Sequence, residues 1–168
     1  MSDTLLSELS PISFLQMFVT QSVKLAGQTA SDNGTDHYSH IQYLGLTASC
    51  CLEAHARRLL DLPQEISRDQ YANLIINIKN QIGGGFTQAP GEGGAVRVEN
   101  HRCPFGDMVK EAPELCRMTS SVFGGIAARN FGYAKVELRK RIAIIDGTGD
   151  ALIYTDRATA QDKFGDEY

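Results

Sequence analysis

The chain has 168 residues, of which 42% are hydrophobic and 21% are charged, with a formal net charge of −4. This apolar content excludes wholesale disorder, because it suffices to offset the entropy lost on folding. The acidic balance, with one short basic cluster at residues 139–141, argues against direct nucleic-acid binding. No membrane span and no secretory signal is recognisable. We therefore expect one cytoplasmic domain over residues 1–168.

The first part of the chain, residues 1–82, has the periodicity of helices. Phe14, Phe18 and Leu25 recur at helical spacing, which predicts an amphipathic helix over residues 11–30. We expect the apolar face of this helix to be buried in a homodimer.

Two further helices are predicted in this helical part. One covers residues 37–60, and we expect its adjacent Cys50 and Cys51 to pack in the core as small apolar side chains. Ser67 and Gln70 form the capping-box pattern, which predicts the start of the other helix.

Residues 83–156 change to the periodicity of strands around one helix. Hairpins are predicted over residues 86–99 and 133–155, and a helix opens at Pro113 between them. The first strand of the second hairpin is expected to run from residue 133 to residue 145. The polar tail, residues 157–168, is expected to fray. This order predicts an α+β fold in which an antiparallel sheet of two hairpins packs against helices, with a helical N-terminal half.

Catalytic motifs are incomplete throughout the chain. The glycine-rich stretches lack the lysine of a phosphate loop, and neither a Gly-x-Ser-x-Gly elbow nor a His-Glu-x-x-His helix is present. We therefore expect a non-catalytic protein, with a cysteine-dependent hydrolase or redox enzyme as an alternative.

The densest polar cluster is the loop Asn-His-Arg-Cys-Pro-Phe-Gly at residues 100–106. Cys116 follows in the first turn of the next helix, where the helix dipole is expected to lower the pKa of a thiol. Cys103, Cys116 and His101 offer an incomplete ligand set for zinc or an iron–sulfur cluster. Cys-Pro also occurs in some haem-binding loops. Structural packing of both cysteines and a reactive redox thiol are the other interpretations.

A stripe of small side chains runs along the same helix. Cys116, Ser120, Gly124 and Ala127 recur every three to four residues. Such a stripe either packs closely against the sheet or forms the floor of a pocket.

Residues 100–154 resemble a known family. The motifs Cys-Pro-Phe-Gly, Leu-Cys-Arg-Met-Thr-Ser and Gly-Tyr-Ala-Lys-Val look like those of the methanogen output domain family, over about a third of the chain. That family is related in layout to vinyl-reductase-like small-molecule-binding domains. The resemblance implies an α+β regulatory domain that works beside bacterial signalling proteins and dimerises through its early helices.

The resemblance also bears on the cysteines. In vinyl-reductase-like domains, cysteines near this region can hold zinc, and Cys103 and Cys116 match by position. Similar sequences often have a further cysteine around Asp150 or Ala151, which this chain lacks. That departure weakens the analogy to a three-thiolate site.

The leading hypothesis is a sensory domain that binds a small apolar molecule or a signalling protein such as a histidine kinase. A metal or haem sensor based on Cys103 and Cys116 is an alternative. We expect a ligand pocket between the fourth helix, the sheet and the early helices. Its predicted lining is Phe14, Phe18, Tyr43, Met118 and Phe123.

Overall fold

A computed structural model describes residues 11–33, 37–144 and 146–168. Residues 1–10, part of the predicted helical segment, lie outside this description. The α-helices are α1 (Pro11–Asn33), α2 (His37–Leu59), α3 (Arg68–Gln81), α4 (Leu115–Phe131) and α5 (Arg157–Ala160). A 3₁₀ turn spans Gly106–Lys110. The strands are β1 (Phe86–Ala89), β2 (Val96–Asn100), β3 (Lys135–Lys140), β4 (Gly149–Tyr154) and β5 (Asp166–Glu167).

The strands form one antiparallel sheet in the order β1-β2-β4-β3-β5. Both predicted hairpins are present, β1 with β2 and β3 with β4, and β2 joins them by pairing with β4. The largest apolar cluster lies between this sheet and helices α3 and α4. The predicted α+β class is confirmed.

Helix α3 begins and packs as its sequence pattern predicts. The Gln70 backbone N–H donates to Ser67 Oγ at 3.2 Å, and the Ser67 N–H donates to Gln70 Oε1 at 2.9 Å. These reciprocal bonds satisfy two of the free N–H groups at the helix start. The buried side chains of the helix, such as Tyr71 and Leu74, face the core.

Helix α2 buries a different face from the predicted one. Cys50 and Cys51 are exposed, so their predicted core packing is wrong. The buried face carries Gly45, Ser49 and Glu53 instead. The physical reason is that this face of α2 packs against α4. The side chains of α4 leave room only for small residues there and bond to polar ones.

Small residues bring α2 and α4 close together. A Cβ atom on Gly45 would lie 2.7 Å from Ser121 Cβ, and a Cβ atom on Gly125 would lie 2.7 Å from Ser49 Oγ. Neither position has room for a methyl group, so the two helices approach closely only because these residues are small.

The C-terminal segment is ordered, so the predicted fraying of residues 157–168 is wrong. The Thr159 N–H donates to Asp156 Oδ1 at 2.9 Å and caps α5. The Tyr168 N–H donates to the Ala134 carbonyl at 2.9 Å, and β5 pairs with β3. The polar composition of the segment gave no sign of this edge pairing.

Tyr168 occupies most of the predicted small-residue stripe of α4. Its hydroxyl oxygen lies 3.0 Å from Ser120 Oγ, and its ring fills the space where a Gly124 side chain would be. The stripe is thus a slot for an aromatic ring of the same chain. Cys116 lies beyond this slot and faces a cavity.

Strand β3 ends earlier than predicted. The predicted strand continued to residue 145, whereas the observed one ends at Lys140. The Arg141 N–H donates to Asp146 Oδ2 at 2.9 Å, which closes a turn where the strand was expected to continue. Ile145 lies outside the described residues.

The outer faces of α1 and α2 expose large apolar side chains, including Leu15, Phe18, Tyr43 and Leu44. A homodimer through this face stays a prediction. Across the described parts of the chain, no helix is long and apolar enough to cross a membrane.

Candidate ligand site

A cavity of about 50 Å³ lies between α4, the centre of the sheet and the loop that follows β2. We call it the central cavity. Apolar side chains form most of its wall, including Phe86, Val98, Val109, Leu115, Phe123 and Ala151. Its polar lining residues include Asn100, Lys140, Arg141 and Asp150.

The sheet and α4 fix the apolar wall. Val98 of β2 pairs in register with Ala151 of β4, and both belong to the main apolar core. The rings of Phe86 and Phe123 meet edge to face, with centroids 5.9 Å apart and an interplanar angle of 89°. This arrangement is favourable for aromatic pairs, so the wall is held by packing of regular elements.

Backbone hydrogen bonds hold the loop after β2 against the end of α3. The Gly85 N–H donates to the Arg102 carbonyl at 3.0 Å, and the His101 N–H donates to the Gly85 carbonyl at 3.2 Å. The Gly106 N–H donates to the Cys103 carbonyl at 3.0 Å. These bonds fix Cys103, whose half-buried side chain lines the central cavity.

Lys79 of α3 is a buried cation beside the cavity. Its side chain is only 4% exposed, and its Nζ donates to Thr119 Oγ1 at 3.1 Å. The Nζ atom also lies 5.6 Å from the centroid of the Phe123 ring. Burial lowers the pKa of the Lys79 ammonium to about 8. No carboxylate among the described residues forms an ion pair with it.

Two thiols line the same cavity. Burial raises the pKa of Cys103, and burial together with the nearby Cys103 raises the pKa of Cys116 to about 11. The predicted lowering of the Cys116 pKa is therefore wrong. Its backbone N–H already donates to the Pro113 carbonyl at 3.1 Å, and apolar burial outweighs the helix dipole.

A second, wider cleft of about 690 Å³ adjoins the central cavity, and Cys103 and Ile142 line both. His101 lines this cleft and not the cavity. A Cβ atom on Gly85 would lie 2.8 Å from His101 Nε2, so the imidazole covers the glycine turn.

Of the three residues predicted as metal ligands, Cys116 lines the central cavity, His101 lines the wider cleft, and Cys103 lines both. Within the described ranges, no group of three or more His, Cys, Asp or Glu side chains is arranged to hold a metal ion. The ammonium of Lys79 also lies near both thiols and would repel a divalent cation. The described residues do not fit a zinc or iron–sulfur centre, and metal binding by Cys103, Cys116 and His101 stays a prediction.

Of the four predicted ligand-lining residues whose side chains the structure describes, one lies in the central cavity. Phe123 lines it, whereas Met118 packs in a neighbouring apolar cluster with Cys116 and Val19. Phe18 and Tyr43 are 61% and 70% exposed on the outer helices and do not line the cavity. The side chain of Phe14 lies outside the described residues.

Lys79 is the residue that the sequence pattern alone did not single out. It follows Tyr71 and Ile75 at helical spacing on the apolar face of α3. A lysine within such a stripe could have been recognised from the sequence as a candidate site residue, because lysine is rarely buried without a partner.

Fold and cavity together define a class: an α+β protein with a small, mostly apolar cavity that is lined by two half-buried thiols and by Thr119, the hydrogen-bond partner of a buried lysine. Comparison with known sequences then places the chain more narrowly. The model of the family methanogen output domain 1 matches residues 47–148, and the chain belongs to this family. The match contains Lys79, Cys103, Cys116 and Thr119. No curated protein matches the chain.

The family match confirms the resemblance to methanogen output domains. It does not extend to vinyl-reductase-like domains, and that relation stays a prediction.

Proposed function

We propose that the chain is a non-catalytic sensory or regulatory domain that binds a small, largely apolar ligand in the central cavity and takes part in signal transduction. The observation that carries this proposal is the cavity itself. Most of its lining is apolar, a few lining residues are polar, and it lies at the junction of α4, the sheet and the loop after β2. Ligand sites commonly combine apolar walls with a few polar groups in this way. The membership in an output-domain family supports a regulatory role.

The size of the cavity limits the ligand. Roughly 10–15 Å³ of such space holds one water, so about 50 Å³ corresponds to about four waters. A haem or a long hydrocarbon would require the wall to rearrange. The proposal is therefore a small molecule of a few carbon atoms.

The state of the thiols supports binding more than catalysis. A cysteine nucleophile reacts as its thiolate, and the raised pKa values of Cys103 and Cys116 keep both groups protonated near neutral pH. Among the described residues no histidine lines the central cavity, and His101 shares only the wider cleft with Cys103. A cysteine-dependent hydrolase or redox enzyme is not favoured by this arrangement.

The proposal is tested by filling the cavity. The variant Cys116→Phe adds a ring at a half-buried lining position, and Cys51→Phe adds the same ring on the exposed face of α2 as a matched control. The probe is 1-butanol, followed by backbone-amide NMR shifts at Thr119 and Phe123. We expect saturable shifts in the wild type and the control, and none in Cys116→Phe.

Circular dichroism checks that both variants are folded. If Cys116→Phe is unfolded, Ala151→Leu fills the same cavity from β4. The proposal fails if 1-butanol shifts the same amides in a folded, cavity-filled variant as in the wild type, or shifts none of them in the wild type.

A further inference from the structure

Lys79 differs from the other buried charges of the molecule. Buried Glu53 pairs with Arg57 and Arg129, and buried Asp150 pairs with Arg97 and Arg139. Lys79 forms no ion pair within the described ranges, and its neutral partners are a hydroxyl and an aromatic ring.

The partners of Lys79 are also part of the cavity wall. Thr119 and Phe123 line the central cavity from α4, and Cys103 and Cys116 line it from the loop and the start of α4. Lys79 is not itself a lining residue, but its ammonium is bonded to the hydroxyl of Thr119, which is. A ligand group that enters between the two would contact both. None of these four neighbours carries a negative charge near neutral pH.

We propose that the ligand is a short-chain carboxylate, whose carboxylate group pairs with the Lys79 ammonium and Thr119 hydroxyl while its hydrocarbon chain packs against Phe86, Val98 and Phe123. This inference rests on the proposed function and names the ligand class for the same cavity. A buried cation strongly favours an anionic partner, because the pair recovers part of the free energy that is lost when the charge leaves water.

The geometry favours a carboxylate over a phosphate. A phosphate group carries about two negative charges and three acceptor oxygens, which need several donors. The groups near the Lys79 ammonium are the Thr119 hydroxyl, the Phe123 ring and two thiols. The other polar lining residues, Asn100, Lys140, Arg141 and Asp150, belong to the strands and to the end of β3. A singly charged group with an apolar tail matches that set.

Size selects the chain length. About four waters occupy roughly 120 Å³ in the liquid, at about 30 Å³ each. Butyrate, with four carbon atoms, is of this size. Longer chains would have to extend from the cavity toward the wider cleft that Cys103 and Ile142 also line.

The test compares butyrate with 1-butanol, which has the same chain length and no charge, by isothermal titration calorimetry at pH 7. We expect the wild type to bind butyrate at least about tenfold more tightly than 1-butanol, the effect of one charge-assisted hydrogen bond. In Lys79→Met this preference disappears, while 1-butanol still binds. Lys79→Arg keeps a cation and is expected to keep a preference for butyrate.

A control variant and the pattern of outcomes separate this inference from the proposed function. Lys110→Met removes an exposed lysine of the 3₁₀ turn and is expected to leave both affinities unchanged. If 1-butanol binds in the cavity but butyrate binds no more tightly, or if Lys79→Met binds butyrate as the wild type does, the carboxylate proposal is wrong and the cavity proposal stands. If neither molecule binds the wild type, both proposals fail.

The pH dependence gives an independent readout. The preference for butyrate is expected to fall between pH 7 and pH 9.5, as Lys79 loses its proton. The charged and titratable groups around the cavity are Cys103, Cys116, Lys140, Arg141 and Asp150. In Lys79→Met these groups remain, so a butyrate preference that persists there with the same pH dependence would assign it to them and overturn the proposal.

Discussion

Two buried charges of this molecule, Glu53 of α2 and Lys79 of α3, are almost equally hidden from solvent and have opposite surroundings. Glu53 is 7% exposed, and its carboxylate accepts hydrogen bonds from Arg57 at 3.0 Å, Arg129 at 2.8 Å and Asn130 at 2.7 Å. Lys79 is 4% exposed, and among the described residues its ammonium donates a hydrogen bond to Thr119 alone.

The pKa values show what the difference means. Burial alone would raise the pKa of Glu53, yet its three partners outweigh burial and hold that pKa below the ordinary value. For Lys79 burial prevails and lowers the pKa to about 8. A buried charge with a full set of partners joins α2 to α4, whereas a buried charge without a counter-ion is costly for folding and available for a ligand.

The largest effect is expected where the charge is fully paired. Glu53→Ala removes the shared acceptor of Arg57 and Arg129, and we expect a loss of about 3 kcal/mol in the free energy of unfolding, reduced by the partial exposure of the two arginines. Urea denaturation measures it, with exposed Glu65→Ala as the matched control. If the two variants were equally stable, the buried Glu53 would stabilise the fold no more than an exposed glutamate does. The contrast between Glu53 and Lys79 would then be wrong.

Acid should act through the same carboxylate. The folded-state pKa of Glu53 is lowered. Its contribution to folding stability is therefore present above the unfolded-state pKa and is lost as the pH falls through the folded-state pKa.

The substitution Lys79→Met should change the free energy of unfolding in the opposite direction to Glu53→Ala. Removing an uncompensated buried charge is expected to leave stability unchanged or to raise it by about 1–2 kcal/mol at pH 7. The unfolded chain holds the lysine proton more tightly than the folded protein, so the stability of the wild type relative to this variant should rise by about 1 kcal/mol between pH 7 and pH 9.

Above about pH 9 the two thiols lower the stability of the folded protein as the pH rises. The reason is that their raised folded-state pKa values make the folded protein keep protons that the unfolded chain loses. Both proteins contain these thiols, so the difference between the two denaturation series isolates Lys79. A variant that is less stable than the wild type throughout this range would show that Lys79 is a structural cation.

The smallest effect concerns the thiols beside Lys79, which can be compared with the exposed pair on α2. We expect iodoacetamide at pH 7.5 to modify Cys50 and Cys51 at least about tenfold faster than Cys103 and Cys116, because the latter are half-buried and protonated. Peptide mass spectrometry follows each site. Faster labelling of Cys103 or Cys116 would point to an activated thiol and revive the enzyme hypothesis.

Local patterns predicted much of the fold. The capping box at Ser67 and Gln70 lies within four residues, and Gly132 ends α4 with a left-handed φ of 79°. Both signals depend on adjacent residues alone. The two hairpins likewise follow from alternation and turns.

Long-range features were not predictable in the same way. The buried face of α2 became visible only when α4 supplied partners for Glu53 from Arg129 and Asn130, more than seventy residues away. The occupant of the small-residue stripe lay at the far end of the chain, in Tyr168. For the site, the motif around Cys103 and Cys116 indicated residues that line the central cavity, whereas Phe18 of α1 and Tyr43 of α2 were assigned to a pocket wall that they do not line.

The contact between Tyr168 and α4 has a practical consequence for anyone who produces this protein. The ring of Tyr168 rests on Gly124, and its hydroxyl lies within hydrogen-bonding distance of both Ser120 and Ser121. Replacing Tyr168 by alanine would leave an empty groove along α4 and remove the partner of the Ser120 hydroxyl, whereas Ser121 Oγ would still donate to the Arg117 carbonyl. A variant or fusion is therefore best designed so that this ring keeps its place on the helix.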